Sequence, residues 1–475
     1  MNKSPFFLFC ACVALCCIFL SAVRALAEED MAPATAGAEE GKKRSFSTGT
    51  AFFDDAALSG GVYYFQRDRR RWDPERKRWT NNLNHATLTA NADFSSGFIG
   101  GVLGMDVAVF GTHDIKSTGA PDHEMNFMPW GDPWHPDWNR TRTKDGVSVY
   151  KAHVKGRVGP FWAKAGYFQP SGPGVLGVNW SIMPGTYRGV NAGADIGGLS
   201  VALAWADAYK APWYKEMNNF YKNDGETHVP WVWSSGARYS FACGLTLEAA
   251  YGQSKDHLWN GHFKSRWERN LDEDGSRKLA VAYQLYMMGD NDNSGRTPND
   301  NFDGVARQHY ALLEYSMDYW NFKLEGTYTR ASVNNPEQQG QFAYRLTDGY
   351  GSSNGAYDIW WDAHTDWNAH NEKAVFGVIS RGLDDLLPVA GFTVALGSGI
   401  GWDGEAYGVS RHLKEWAFTF DVSYVQPDGP LKGAFVKIHL TDYHNGTNFP
   451  SWDPYKNGFQ SERDIRFFAG IPFDL

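Results

Sequence analysis

The chain has 475 residues with 54 acidic against 45 basic side chains, a formal net charge of −9, and is rich in tryptophan (20) and glycine (51). That acidic balance argues against nucleic acid as a partner, and beyond the N-terminus no apolar run approaches the ~18 residues of a membrane-spanning helix. Four of the five cysteines (Cys10, Cys12, Cys16, Cys17) fall within the first 27 residues, leaving Cys243 alone, which excludes a disulfide framework and a thiolate metal site.

The N-terminal stretch carries Lys3, an apolar run from Phe6 to Val23, and Ala25-Leu26-Ala27 before Glu28-Glu29-Asp30. This is the pattern of a secretory signal cleaved after Ala27. Its removal takes away Lys3 and Arg24 and no acid, leaving 43 basic residues against 54 acidic, a net of −11. Residues 28–56, poor in apolar side chains, read as a flexible leader. From residue 57 to 475 the composition stays uniform, as expected of one domain.

Segments of period two then succeed one another, the mark of strands whose two faces meet different solvents. Strands are expected at about 57–66, 83–94, 99–111, 146–158, 161–168, 189–195, 199–208, 231–241, 245–253, 262–270, 277–287, 305–316, 321–330, 372–381, 391–402, 414–425, 430–442 and 462–474. Phe322, Leu324, Gly326 and Tyr328 alternate with Lys323, Glu325, Thr327 and Thr329, and Trp416, Phe418, Phe420, Val422 and Tyr424 with Ala417, Thr419, Asp421 and Ser423. Charge opposite a lipid-type face implies a wet interior, so the fold class is all-β, a transmembrane antiparallel β-barrel of about eighteen strands. Connections alternate between short (159–160, 196–198, 426–429) and long (112–145, 209–230, 331–371), as barrels with short periplasmic turns and long external loops require. The last strand closes the pattern, with Ile465, Phe467, Ala469, Ile471, Phe473 and Leu475 on one face.

Several side chains suit transport. Lys151, His153, Lys155 and Arg157 share one face of their strand, against Tyr150, Ala152, Val154 and Val158, and Lys164 joins them from the next strand. In lipid each Lys or Arg near mid-membrane costs roughly 2–4 kcal/mol, so this basic ladder is expected in the lumen. Trp162, Trp180, Tyr187, Trp360, Trp361 and Trp367 are candidate platforms for sugar rings, with Arg188, Asn354, Asp358 and Asp362 as hydrogen-bonding neighbours. An interfacial aromatic girdle is the competing reading for Trp on strands. Asp358, Asp362 and Asp366 recur every four residues, which raises a glycosidase alternative, but a loop-borne trio without supporting pattern does not carry it, and no catalytic residue is assigned. The histidines His364, His370, His412, His439 and His444 lack ligand spacing, so no metal or other cofactor is expected.

The segments LSGGVYYFQRDR, MPGTYRG (Met183–Gly189), Ser352–Phe376 and SERDIRFFAGIPF resemble the OprD-type family of outer-membrane porins, and within it the channels for chitin oligosaccharides. The resemblance implies outer-membrane localisation, a monomer or loose trimer, an external loop (here Gln169–Arg188) folded inward to narrow the pore, and facilitated diffusion of N-acetylglucosamine oligomers. A channel for carboxylates or other small solutes is the alternative within the same fold. The insert with Trp130, Trp134 and Trp138 lies outside the resemblance.

Overall fold

The computed structural model describes residues 50–119, 127, 144–222, 224–291, 301–336, 338–347, 353–359, 361–447 and 460–474. The expected signal, most of the leader, and Trp130, Trp134, Trp138, Trp360 and Leu475 lie outside the described residues. A single turn of helix, α1 (Ala51–Asp54), precedes the sheet.

Eighteen strands form one antiparallel sheet: β1 (Ala57–Asp73), β2 (Arg78–Ser95), β3 (Leu103–Gly119), β4 (Gly146–Val158), β5 (Phe161–Phe168), β6 (Thr186–Ile196), β7 (Leu199–Lys210), β8 (Val232–Ser240), β9 (Leu245–Ser254), β10 (Leu258–Asn270), β11 (Arg277–Asp290), β12 (Val305–Met317), β13 (Trp320–Arg330), β14 (Lys373–Gly382), β15 (Phe392–Gly404), β16 (Leu413–Val425), β17 (Phe435–Asn445) and β18 (Glu462–Asp474). Each pairs with its chain neighbours, and β1 pairs with β18 from Ser59↔Asp474 to Arg71↔Glu462, so the sheet closes and leaves no edge. Connections 96–102, 159–160, 197–198, 241–244, 271–276, 318–319, 383–391 and 426–434 lie at the end that holds the start of β1 and the end of β18. The long ones, 120–145, 169–185, 211–231, 291–304, 331–372 and 446–461, are all at the opposite, external end.

The expected strands are all present, with shifted ends. β1 runs to Asp73 and β2 starts at Arg78, so the first hairpin projects past the lipid-facing alternation with Arg67, Arg69 and Arg71 still in the ladder. β3 spans Leu103–Gly119 instead of 99–111, and β17 starts at Phe435 instead of residue 430. Polar residues outside the hydrocarbon lose the apolar alternation without losing their backbone pairing, and only the former is visible in a sequence.

Facing follows from register, because residues directly opposite in an antiparallel pair share a side. Leu324, Gly377, Ser398 and Phe418 form one such row, outward, where Leu324, Leu396, Phe418, Ile465 and Ile471 are each exposed by half or more. A concavity of about 910 Å³ on this wall is lined by Leu313, Leu324, Ile379, Leu396 and Phe418 and faces lipid, not the conduction path.

This assignment predicts opposite outcomes at adjacent positions of β15. Leu396→Arg should cost roughly 2–4 kcal/mol in urea unfolding from lipid vesicles. Ala395→Arg, which shares the face of lumenal Asp421, should leave the unfolding midpoint nearly unchanged and alter conductance.

Candidate functional site

The pore interior is shaped by two loops that turn inward. The first, 169–185, lies against the inner faces of β6 to β9, where the sequence supplies small residues. Ala202, Ala204 and Ala206 are buried beneath it, a Cβ on Gly236 would come within 2.7 Å of Pro173, and Val175 N–H donates to Ser234 Oγ at 2.7 Å. Gln169 Nε2 donates to the carbonyls of Tyr150 (2.8 Å) and Gly185 (3.0 Å), which closes the loop at its base. Near this base Met183 packs among Ala108, Phe110, Phe127 and Tyr150, with Tyr63 alongside.

The second loop crosses the lumen. Asn354–Gly355 pairs antiparallel with Leu176–Gly177 of the first loop. Asp358 then accepts from Lys264 of β10 (2.7 Å) and Gln284 of β11 (3.2 Å). Four residues on, Asp362 meets Arg466 of β18 at 2.6 Å, while its carbonyl lies 3.1 Å from His439 Nε2 of β17. Asp362, His364 and Trp367 all take positive φ (47°, 78°, 50°), strained for residues with a Cβ and held by these partners. Burial opposes ionisation of Asp362, yet the Arg466 guanidinium, with His439, holds its carboxyl below the ordinary range. Burial pushes the His364 ring down to about 4, so it is neutral at pH 7, its Nδ1 3.2 Å from Glu462. Beyond it Glu372 and Glu415 are both buried, side by side over Gly401, with Glu372 accepting from Ala369 N–H (3.0 Å) and Glu415 from Thr365 (3.1 Å) and Tyr443.

The wall of β4 and β5 carries the basic residues. Lys151, His153, Lys155, Arg157, Trp162 and Lys164 line a lumenal cavity of about 430 Å³. Acids on β2 and β3 meet part of this charge: Lys151 bonds Asp93 at 2.5 Å, and Asp106 lies 2.7 Å from Lys155 and 3.0 Å from His153. Arg157 Nε donates to the carbonyl of Gly101 (3.3 Å) and its guanidinium lies 4.0 Å above the Phe98 ring. Lys164 donates to Gln169 O (2.7 Å) and Ser171 Oγ (2.6 Å).

The structure brings together the five ladder residues, and with them Trp162, whose Nε1 donates to Asp195 at 3.0 Å. Trp180 stands on the first loop with 67% of its surface exposed, and the Asp358 side chain is about half exposed beside Lys264. Other expectations need correction. Tyr187 is fully buried, packed 4.5 Å from Tyr209 and bonded to the backbone of Asn354, so it ties the second loop to β6 and offers no platform. Trp361 is buried, stacked 5.2 Å from Phe376, and Trp367 is enclosed beside it, so both are packing residues. Arg188 shares a row with Tyr167 and Ala152 on the outer face, paired there with Asp207 at 2.7 Å, and so cannot line the pore. Asn354 Nδ2 is committed to Val178 O at 3.0 Å. Tyr150, expected outward, turns inward because a bulge shifts the β3–β4 register between Ala108 and Val109.

Sequence reasoning missed the paired charges of β1 and β18. Arg67 bonds Asp464 at 2.7 Å and Arg71 bonds Glu462 at 2.9 Å, both acids buried. The signal was present in the alternation of Arg67, Arg69 and Arg71, but their partners are almost 400 residues away. The alanine column Ala202–Ala206 was likewise readable as room for a loop.

A family model described as outer membrane porin, OprD family, matches residues 50–458. The chain is 39% identical over 445 residues to "Chitoporin" of Escherichia coli (strain K12), covering 89% of this chain and 92% of that one. It is 22% identical over 429 residues to "Porin D" of Pseudomonas aeruginosa, covering 83% and 89%. Among solved structures, P. aeruginosa OpdK with vanillate matches with a TM-score of 0.71 at 15% identity, over 89% of this chain and 100% of that one, a likeness of fold.

Two outcomes test the loop architecture. A Cβ at Gly177 would fall 2.2 Å from the carbonyl of Gly355, so Gly177→Val should part the two loops and raise single-channel conductance in a folded barrel. Burial, reinforced by the Glu415 carboxyl beside it, raises Glu372 well above the ordinary carboxylate range. The folded state therefore keeps a proton that the unfolded chain has lost, and this anchor is fully stabilising below the ordinary range and weakens as pH rises through the elevated value. Conductance fluctuations in sugar-free salt should grow as pH rises above the ordinary carboxylate range of about 4, and Glu372→Gln should flatten that dependence.

Proposed function

The chain belongs to the OprD family of outer membrane porins, and from that premise we propose that it admits chitooligosaccharides by facilitated diffusion, without covalent chemistry. The observation that carries this reading is the 39% identity to the E. coli chitoporin along nearly the whole chain. The lumen chemistry is in keeping with it. A neutral N-acetylglucosamine oligomer needs apolar faces for its rings and donors and acceptors for its hydroxyl and acetamido groups. Trp180 and Trp162 offer the former, and Asp358 with Lys264 and Asp195 beside Trp162 the latter. Asp93 and Asp106 offset part of the ladder's charge, which suits a polar uncharged solute better than a strong anion. Asp358 and Asp362 each accept from a cation, an arrangement for orienting a solute and not for donating a proton in hydrolysis. In the same reading residues 1–27 direct export and are removed after Ala27.

A second reading, a channel for carboxylates, is favoured by Arg157 and Lys164, whose hydrogen bonds go to carbonyl and hydroxyl oxygens, with the Phe98 ring against Arg157. Planar-bilayer recording separates the two. For the sugar channel, N-acetylglucosamine oligomers cause brief, concentration-dependent current blocks and maltooligosaccharides of equal length cause few. Trp180→Ala should shorten the blocks about tenfold, the factor given by ~1.4 kcal/mol of lost stacking. Equal block by both sugars, with strong anion selectivity of the reversal potential, would falsify the chitooligosaccharide assignment in favour of the second reading.

A further inference from the structure

Between the constriction and the periplasmic end, the lumenal wall of β17, β18 and β1 changes character. Higher on β1 the inward residues are Arg67, Arg69 and Arg71; lower down they are Phe65 and Tyr63. Phe65 pairs with Phe468, and Tyr63 and Phe435 both pair with Gly470, so the four rings share a face. That face is the lumen, since Arg466, two residues from Phe468, reaches Asp362 of the crossing loop. The rings form one patch. Phe468 lies 5.0 Å from Phe435, 5.4 Å from Phe65 and 6.2 Å from Tyr63, nearly parallel to the last at 27°.

Glycines let Tyr63 and Phe435 lie down on the wall. A Cβ at Gly470 would stand 2.5 Å from Tyr63 Cδ1 and 2.6 Å from Phe435 Cε1, and one at Gly61 would stand 2.5 Å from the Tyr63 hydroxyl. The rings lie at mixed tilts, Tyr63 and Phe468 nearly parallel while Phe435 stands at 68° and Phe65 at 55° to Phe468, and all four stay only partly buried. Barrel closure does not require them there, because the hydrocarbon side of the same seam is already filled by Val62, Tyr64, Phe467 and Ile471. Polar side chains are the default in a wet lumen, and apolar ring surface left to water forfeits hydrophobic free energy.

We infer that Tyr63, Phe65, Phe435 and Phe468 form a second, exit-side subsite on which pyranose rings of a neutral oligosaccharide stack after passing the constriction. The inference rests on the sugar reading above and deepens it. Tyr63 also packs against the Met183 cluster at the end of the inward loop, so the patch continues the constriction without a gap. A pyranose presents C–H groups to an aromatic face, and an oligomer spanning both places releases one before the other. Each hold is then weak enough to let the solute leave.

The test is single-channel recording with the N-acetylglucosamine hexamer added on the periplasmic side, comparing wild type with a Tyr63→Leu/Phe468→Leu double variant. Leucine keeps apolar bulk and removes the flat face. The expected result is a residence time shortened about tenfold, with heat-modifiable gel mobility unchanged. Equal residence times in variant and wild type overturn the subsite while leaving the sugar channel standing. Absence of block in the wild type overturns the substrate reading and the subsite together. Should the double variant fail to reach the folded form, Phe435→Leu, at the first residue of β17, is read by the same criterion.

Discussion

In hydrocarbon a backbone amide or carbonyl without a partner costs several kcal/mol, and the antiparallel seam between β1 and β18 removes the last unpaired edge. Thirteen residue pairs, from Ser59↔Asp474 to Arg71↔Glu462, join the two ends of the chain. Once the sheet is closed, every strand residue faces either lipid or lumen, and register decides which. The outer face is predominantly apolar, with charged pairs such as Arg188–Asp207 toward its rim. Chemistry is confined to the inner face and to loops that reach it.

Those inward loops face a different constraint. Their backbone polar groups, taken from water, must find partners inside the barrel. The first loop uses Ser234 Oγ, Asn191 and the two-residue ladder to Asn354–Gly355; the second uses Lys264, Tyr286 and His439. Because the second loop is tied to β10 and β11 at Asp358 and to β17 and β18 at Asp362, it divides the external mouth from the lumen below. Its strained residues at 362, 364 and 367 sit between those ties. The loop's position is thus coupled to barrel strands far apart in sequence.

The charges of the inner wall are arranged in opposition. Asp93 and Asp106 face Lys151, His153 and Lys155, and Glu462 and Asp464 face Arg67, Arg69 and Arg71. Such a lumen is polar without a large net field, and a neutral solute meets donors and acceptors on either side. Aromatic surface occurs at Trp162 beside the ladder, at Trp180 on the first inward loop and at Tyr63, Phe65, Phe435 and Phe468 on β1, β17 and β18. Separation of charge above from rings below follows from one strand, β1, which carries both kinds of residue on the same face.

Sequence by itself determined the barrel, the number of strands, the distribution of long loops to one end and the inward direction of the basic ladder, because a period of two against lipid is local and each strand reports it independently. Its resemblance to the OprD-type family also implied that 169–188 folds inward. What it left undecided was which loop aromatics remain open to a solute. Tyr187, Trp361 and Trp367 looked like platforms and are packed away, while the lumenal rings of β1, β17 and β18 were hidden among ordinary strand residues. Nor did it foresee that one bulge beside Val149 turns Tyr150 into the lumen, or that Arg188 falls on the outer row. Burial of a loop side chain depends on where a second, distant loop comes to rest, and the face of a strand residue depends on every register shift before it; both are properties of the closed barrel, and only the tertiary structure decided them.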